Sequence, residues 1–220
     1  MNLIEALNQN LRKTLSKGRV KLSQPAGCQS IALHLFDPAV LEGPLSHDEA
    51  QAVVAEPAYW SFCWASGQVL GQFILSNPNH VKDKVVVDFG CGSGVVAIAA
   101  AKAGAKRVYA CDIDTDALVA VTANAVANLV EVIVIEDLRE VSENIDLITA
   151  ADVLYDRDNY GFLDLFNQQA KQVLLADSRV KTLPSSHYQL ETCIEARTWP
   201  DLNEFEEFNQ VRVYTSQKAK

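Results

Sequence analysis

The chain has 220 residues, 49% apolar and 21% charged, with a formal net charge of -9 at pH 7. Such acidity argues against a nucleic-acid backbone as main partner, because nonspecific affinity there comes mostly from Lys and Arg. No apolar run reaches the ~18 residues a membrane span needs.

The N-terminus, MNLIEALNQNLRKTLSKGRV, spreads charge through an amphipathic pattern and lacks the unbroken apolar stretch of a signal peptide, so a cytoplasmic location is expected. Within it Leu3, Ile4, Leu7, Leu11 and Leu15 fall at helical spacing. CQSIALHLFDP alternates and reads as a strand ending at Pro38. In GPLSHDEAQAVVAEP, Ser46 is the expected cap of a short helix that stops before Pro57. An aromatic-rich loop, YWSFCWAS, then leads into a helix over about 66–76, ended by Asn77-Pro78.

From residue 84 onward strands and helices alternate. KVVVDF is a buried strand and SGVVAIAAAKAGA a helix closed by Gly104. RVYACDID is a second strand, followed by the helix TDALVAVTANAVANL with Thr115 as its expected cap. VEVIVI and IDLITAADVLY are the third and fourth strands. GFLDLFNQQAKQVLLA is expected to be helical and RVKTLPS to be the fifth strand. This rhythm predicts a mostly parallel, doubly wound α/β sheet. YQLETCIEARTWP and FNQVRVYTS, with no helix between them, predict a terminal antiparallel hairpin at one sheet edge. The five cysteines form no CxxC pair and the four histidines no HxH or HExxH spacing, so buried thiols and no metal are expected.

The chemistry concentrates where the first core strand ends, at VVVDFGCGSG. Gly90, Gly92 and Gly94 permit positive φ and leave room for a ligand against the main chain. In an open parallel sheet ligands bind beyond the carboxyl ends of the strands. The spacing is GxGxG, with Val95 where the dinucleotide fingerprint needs its third glycine, and no GK[ST] follows as in a phosphate-binding loop. A ligand without a pyrophosphate fits better. Asp112, ending the second strand, is placed to accept ribose hydroxyls. Asp137, after the third strand, is a candidate acceptor for an adenine amino group, with a solvated loop carboxylate as the competing reading.

VVVDFGCGSG, YACDID and the strand order together resemble the class I, seven-stranded S-adenosylmethionine-dependent methyltransferases over about residues 55–216. The resemblance implies a Rossmann-like sheet with residues 55–220 as the methyltransferase domain and residues 1–54 as an extension packed on it. It implies a cofactor site of Trp64, Asp88, Gly90, Cys91, Gly92, Gly94, Asp112, Ile113, Asp137 and Ala151, with Gly90 and Gly92 around the methionine end and Asp88 near its amino group. EPAYWSFCWASGQVL and ADVLYD resemble segments of the protein-lysine methyltransferases that modify the β subunit of electron-transfer flavoprotein. Trp60, Trp64, Gly67 and Gln68 match, whereas Ala65 and Ser66 stand where that group has Pro and Gly. Asp152 and Tyr155 match the D-x-x-Y type motif that wider relatives of this group, methyltransferases acting on translation factors and chaperones, carry after the fourth strand. This implies methylation of a lysine on a protein substrate, with Asp152 accepting a hydrogen bond from the amine and Tyr155 offering a ring face to the cation. The alternatives are a small-molecule amine or other nucleophile as acceptor, or a non-catalytic cofactor-binding protein of the same fold.

Overall fold

Residues 2–41 and 43–216 are described in a computed structural model of the chain. Val85–Phe89 (β3) has all three valines buried, as a strand covered on both faces must. It pairs in parallel with Arg107–Cys111 (β4) and Ile145–Ala151 (β6). Ile133–Ile135 (β5) adds outside β4, and Ala170–Asp177 (β7) outside β6, both parallel. Gln210–Ser216 (β9) then inserts antiparallel between β7 and Tyr188–Glu195 (β8), giving the order β5-β4-β3-β6-β7-β9-β8. The expected terminal hairpin is therefore present, with its second strand on the inside.

Ala65–Ser76 (α3) and Val95–Lys102 (α4) bury apolar faces with Val86, Leu147, Leu174 and Val213. Phe162–Gln169 (α6) buries Leu163 and Phe166 with Val87, Ile148 and Leu175 on the opposite face. The strand order reverses between β3 and β6, so a crevice opens at their carboxyl ends.

The first fifty-odd residues form Leu3–Arg12 (α1), an antiparallel pair of Val20–Ser23 (β1) and Leu33–Phe36 (β2), and His47–Ala55 (α2). Ser46 caps α2 through a reciprocal capping box with Glu49. Leu7, Leu11, Val20, Phe36 and Trp60 pack with Ala117, Ala120 and Ala123 of Thr115–Ala127 (α5). No helix among the described residues is long and apolar enough to cross a membrane.

The chain departs from the sequence expectation most at 161–185. The helix ends at Gln169, the strand is Ala170–Asp177, and 179–185 is irregular. Val173, Leu174, Leu175 and Ala176 are all buried, so an unbroken apolar run belongs to a sheet interior even when it follows a helix directly. β1 was not expected: VKLS alternates apolar and polar residues over only four positions, and its Leu22 stays exposed. β5 is shorter than VEVIVI, with Ile133 and Val134 exposed at the sheet edge. Asp114, not Thr115, caps α5, its side chain accepting from the Asp116 amide.

Candidate active site

The loop after β3 lies at the crevice. Gly90, Gly92 and Gly94 have φ of +66°, +49° and +80°. A Cβ on Gly90 would fall 2.8 Å from Val153 Cγ1, and one on Gly94 would fall 3.0 Å from Val121 Cγ2. At Gly92 a Cβ would meet nothing within 4 Å. The first and third glycines therefore let neighbouring elements close in, while the second faces open space. The Gly90 and Cys91 amides both donate to the Cys111 carbonyl, which pins the loop to the end of β4.

Asp112 sits beside that open face. Its Oδ2 accepts from the Gly92 amide at 2.9 Å and its Oδ1 from the Asp114 amide at 3.1 Å. Cys91 is buried, its Sγ 3.9 Å from Asp112 Oδ2. Ile113 is 92% exposed, a bare aliphatic side chain next to the carboxylate. Asp137 pairs with Arg139 and caps the short turn that follows it. The Arg139 side chain, then its amide, hold that carboxyl down at about 2. The adenine-accepting role expected of Asp137 therefore competes with an ion pair already formed.

Asp88, expected near the cofactor's amino group, is enclosed, with 2% exposure. Its Oδ1 accepts from Thr149 Oγ1 at 2.9 Å and its Oδ2 from the Ala97 amide at 3.0 Å. Burial pushes this carboxyl up to about 7 against the lowering effect of those donors, and Asp112 nearby adds to the rise. Its visible work is to tie β3 to the first turn of α4, underneath the glycine loop.

A second group gathers where β6 and β7 end. Ala151 is half-buried at the last position of β6, and Asp152 follows in the left-handed region at φ +54°. Asp152 Oδ1 accepts three hydrogen bonds, from Ser66 Oγ at 2.7 Å, the Ser178 amide at 2.9 Å and Ser178 Oγ at 2.8 Å. A residue in a strained backbone position is here held by three donors, which fixes one oxygen and leaves the other to point elsewhere. Ser66 is one of the two residues that depart from the lysine-methyltransferase pattern, and its hydroxyl is what reaches Asp152.

Tyr155 is 64% exposed, and its ring lies 6.4 Å from that of Tyr59. Tyr59 lies 5.8 Å from Trp64, whose Nε1 donates to the Tyr59 carbonyl, and Trp64 lies 5.9 Å from Phe62. Tyr59, Phe62, Trp64 and Tyr155 thus form an aromatic chain on the side of the crevice that holds Asp152. Trp60 is not part of it and packs in the core beneath the N-terminal elements. Gln68 anchors the segment, donating to the carbonyls of Cys63 and Arg197 and accepting from the Gly27 amide.

Sequence reasoning missed Ser178, Thr149 and Asp177. Asp177 is fully buried, its Oδ1 accepting from the amides of Arg179 and Val180 and its Oδ2 lacking a partner among the described residues. Burial, then Asp152, pushes it up to about 6. Only the strand at 170–177 brings Asp177 and Ser178 beside Asp152, and only the pairing of β3 with β6 brings Thr149 to Asp88, so no local motif announces them.

The sheet order and the glycine loop bear out the resemblance to the class I S-adenosylmethionine-dependent methyltransferases. The family model described as ribosomal protein L11 methyltransferase (PrmA) matches residues 71–156. The crystal structure of a ribosomal protein L11 methylase from Lactobacillus delbrueckii subsp. bulgaricus superposes with a TM-score of 0.52 at 26% identity, covering 70% of this chain and 79% of that one. The magnesium protoporphyrin IX methyltransferase of Synechocystis PCC 6803, solved with bound SAM, shares the fold at a TM-score of 0.53 and 15% identity, over 83% of this chain and 88% of that one. In sequence the chain resembles the electron transfer flavoprotein beta subunit lysine methyltransferases. It is 39% identical to the human protein over 46% of this chain and 39% of that protein, and 38% identical to the mouse protein over 50% and 44%. The chain thus covers less than half the length of these relatives.

Proposed function

We propose that the chain is an S-adenosylmethionine-dependent methyltransferase that transfers a methyl group to a lysine side chain of a protein substrate. The observation that carries the reading is Asp152, its one oxygen held by Ser66 and Ser178 beside the aromatic chain of Tyr59, Trp64 and Tyr155. The identity with the lysine methyltransferases supports the same acceptor.

The residues present fit the cofactor. The Gly92 face is open, the Asp112 carboxylate adjoins it, and exposed Ile113 offers an apolar surface to a base. Gly90, Cys91, Gly92 and Gly94 would hold the amino-acid end, Asp112 the sugar, and Trp64, Ile113, Asp137 and Ala151 the remaining rim. Asp88 supports the loop from below. When bound, the cofactor supplies a methyl group on a sulfonium, already activated for in-line displacement.

The protein's share is then positioning and control of the amine. A free lysine titrates near ~10.4 and must lose its proton to act as nucleophile. Loss of water around the amine as it seats disfavours the ammonium form and lowers that value, against the opposite pull of the Asp152 carboxylate. The free oxygen of Asp152 accepts a hydrogen bond from the amine and so aims its lone pair. The ring faces of Tyr155 and Trp64 accommodate positive charge on the methylated product. No strong base is needed, since the arriving amine is neutral and its proton leaves to solvent after transfer. Residues 55–220 form the methyltransferase domain in this reading, residues 1–54 its extension, and the cytoplasm its location.

The test is incubation with methyl-labelled cofactor and a lysate of the source cells. One or a few labelled protein bands that yield methyl-lysine on acid hydrolysis are expected. Label confined to the small-molecule fraction would overturn the lysine assignment in favour of a small amine. Absence of cofactor binding by calorimetry would leave only a non-catalytic protein of the same fold.

A further inference from the structure

We propose that Asn124 is a positioning residue for the cofactor loop, and that through it the N-terminal strand pair becomes a working part of the cofactor site. The inference rests on the methyltransferase reading above. Asn124 lies in the third turn of α5 and is fully enclosed. Its Nδ2 donates to the Ser93 carbonyl at 2.9 Å. Its Oδ1 accepts from the His34 amide at 2.7 Å and lies 3.0 Å from His34 Nδ1. A carbonyl only accepts and a backbone amide only donates, so these two partners fix which way the Asn124 side chain faces. It follows that His34 Nδ1 carries a hydrogen.

Two residues on one face of α5 meet the loop, and a third, at the helix's C-terminal cap, holds only the extension. Val121 abuts Gly94, so closely that a Cβ there would fall 3.3 Å from the Val121 Cα. Asn124 holds Ser93. Asn128 makes a reciprocal pair with Ala32 alone, its Oδ1 accepting from the Ala32 amide and its Nδ2 donating to the Ala32 carbonyl. Asn124 and Asn128 thus clasp the chain at 32–34 as a neighbouring strand would.

Ser93 stands between Gly92 and Gly94, two left-handed glycines with the widest backbone freedom of any residue. Freedom left in a binding loop must be lost when a ligand seats. Asp112 restrains that loop at the Gly92 amide and Asn124 restrains it one residue on, from the opposite partner. The extension at β2 keeps Asn124 aimed, because without the His34 donors the enclosed Oδ1 would have no partner.

The test compares the full chain with Asn124→Asp, His34→Leu and Asn128→Ala, measuring dissociation constants for S-adenosylmethionine by calorimetry and unfolding midpoints by circular dichroism. Asn124→Asp keeps the acceptor for His34 and replaces the donor to Ser93 with a second acceptor. It is expected to bind on the order of tenfold more weakly at temperatures where it is folded. His34→Leu, which removes only the ring donor, is expected to weaken binding by about twofold to fivefold. Asn128→Ala loosens the same extension without touching the loop, so its midpoint falls while its dissociation constant holds. Unchanged binding in Asn124→Asp and His34→Leu would overturn the assignment, and so would equal weakening in all three, which means general softening. Should Asn124→Asp not fold, His34→Leu against Asn128→Ala decides. A wild-type chain that does not bind the cofactor overturns the methyltransferase reading itself, and this inference with it.

Discussion

Replacing Asp88 with Asn gives a test of what lies beneath the glycine loop. In the folded chain burial raises this carboxyl to about 7 from its ordinary 3.8. A carboxyl raised on folding contributes stability that is fully present below its unfolded value and is lost as pH rises through its folded value. The difference is about three pH units at ~1.4 kcal/mol each, so on the order of 4 kcal/mol disappears between pH 4 and pH 7. Asn removes that loss because it never ionises. It also fits, since its oxygen can accept from the Ala97 amide. Its Nδ2 can donate to Thr149 Oγ1, whose own hydroxyl then turns to the Val87 carbonyl, 3.4 Å away. Urea denaturation of wild type and Asp88→Asn from pH 4 to pH 8 should give curves that diverge with rising pH, the variant becoming the more stable. Asp177, raised to about 6, loses stability in the same direction in both proteins and cancels in the comparison. Parallel curves across this range would refute the reasoning, for they would mean that Asp88 ionises in the fold as easily as outside it.

Asp112→Ala removes the acceptor for the Gly92 and Asp114 amides, and with it the proposed sugar contact. Cofactor affinity measured by calorimetry should fall by about 1–3 kcal/mol, and an unchanged dissociation constant would remove Asp112 from the site. Asp152→Asn tolerates the left-handed backbone and keeps an acceptor for Ser66 and Ser178, so cofactor affinity should hold while single-turnover methyl transfer slows roughly a hundredfold. Equal loss of both would move Asp152 to the cofactor. Gly94→Ala meets both a left-handed φ and the nearby Val121, and its thermal unfolding midpoint should correspond to about 1–3 kcal/mol of lost stability.

The parts of this site that could be read from sequence are those whose reason is local. Gly90, Gly92 and Gly94 announce a backbone conformation by their own composition, and the buried valines before them announce the strand. Ser46 and Glu49 announce a helix start within four residues. What could not be read depends on partners far along the chain. Asp177 and Ser178 came to Asp152 only because β7 begins at Ala170, and AKQVLLA carries no punctuation that separates it from the helix before it. Thr149 looks like an ordinary β-branched strand residue until Asp88 is found beside it. Asp88 itself was legible as an acid at a strand end but not as one turned inward, since alternation along so short a strand with both faces buried does not mark a direction. Trp60 and Trp64, four residues apart in one aromatic segment, went to different surroundings, one beneath α5 and one to the crevice.

The interior position of β9 has a consequence for assembly. β8 is made first and, within the main sheet, pairs with β9 alone. On a ribosome delivering the chain from its N-terminus, β8 and the outer edge of β7 wait with unmet hydrogen-bonding groups until residues 210–216 emerge. The glycine loop and its neighbours can be in place before that moment. A nascent chain halted shortly before residue 210 would therefore expose a raw sheet margin, a target for chaperones and for other unfinished copies of itself.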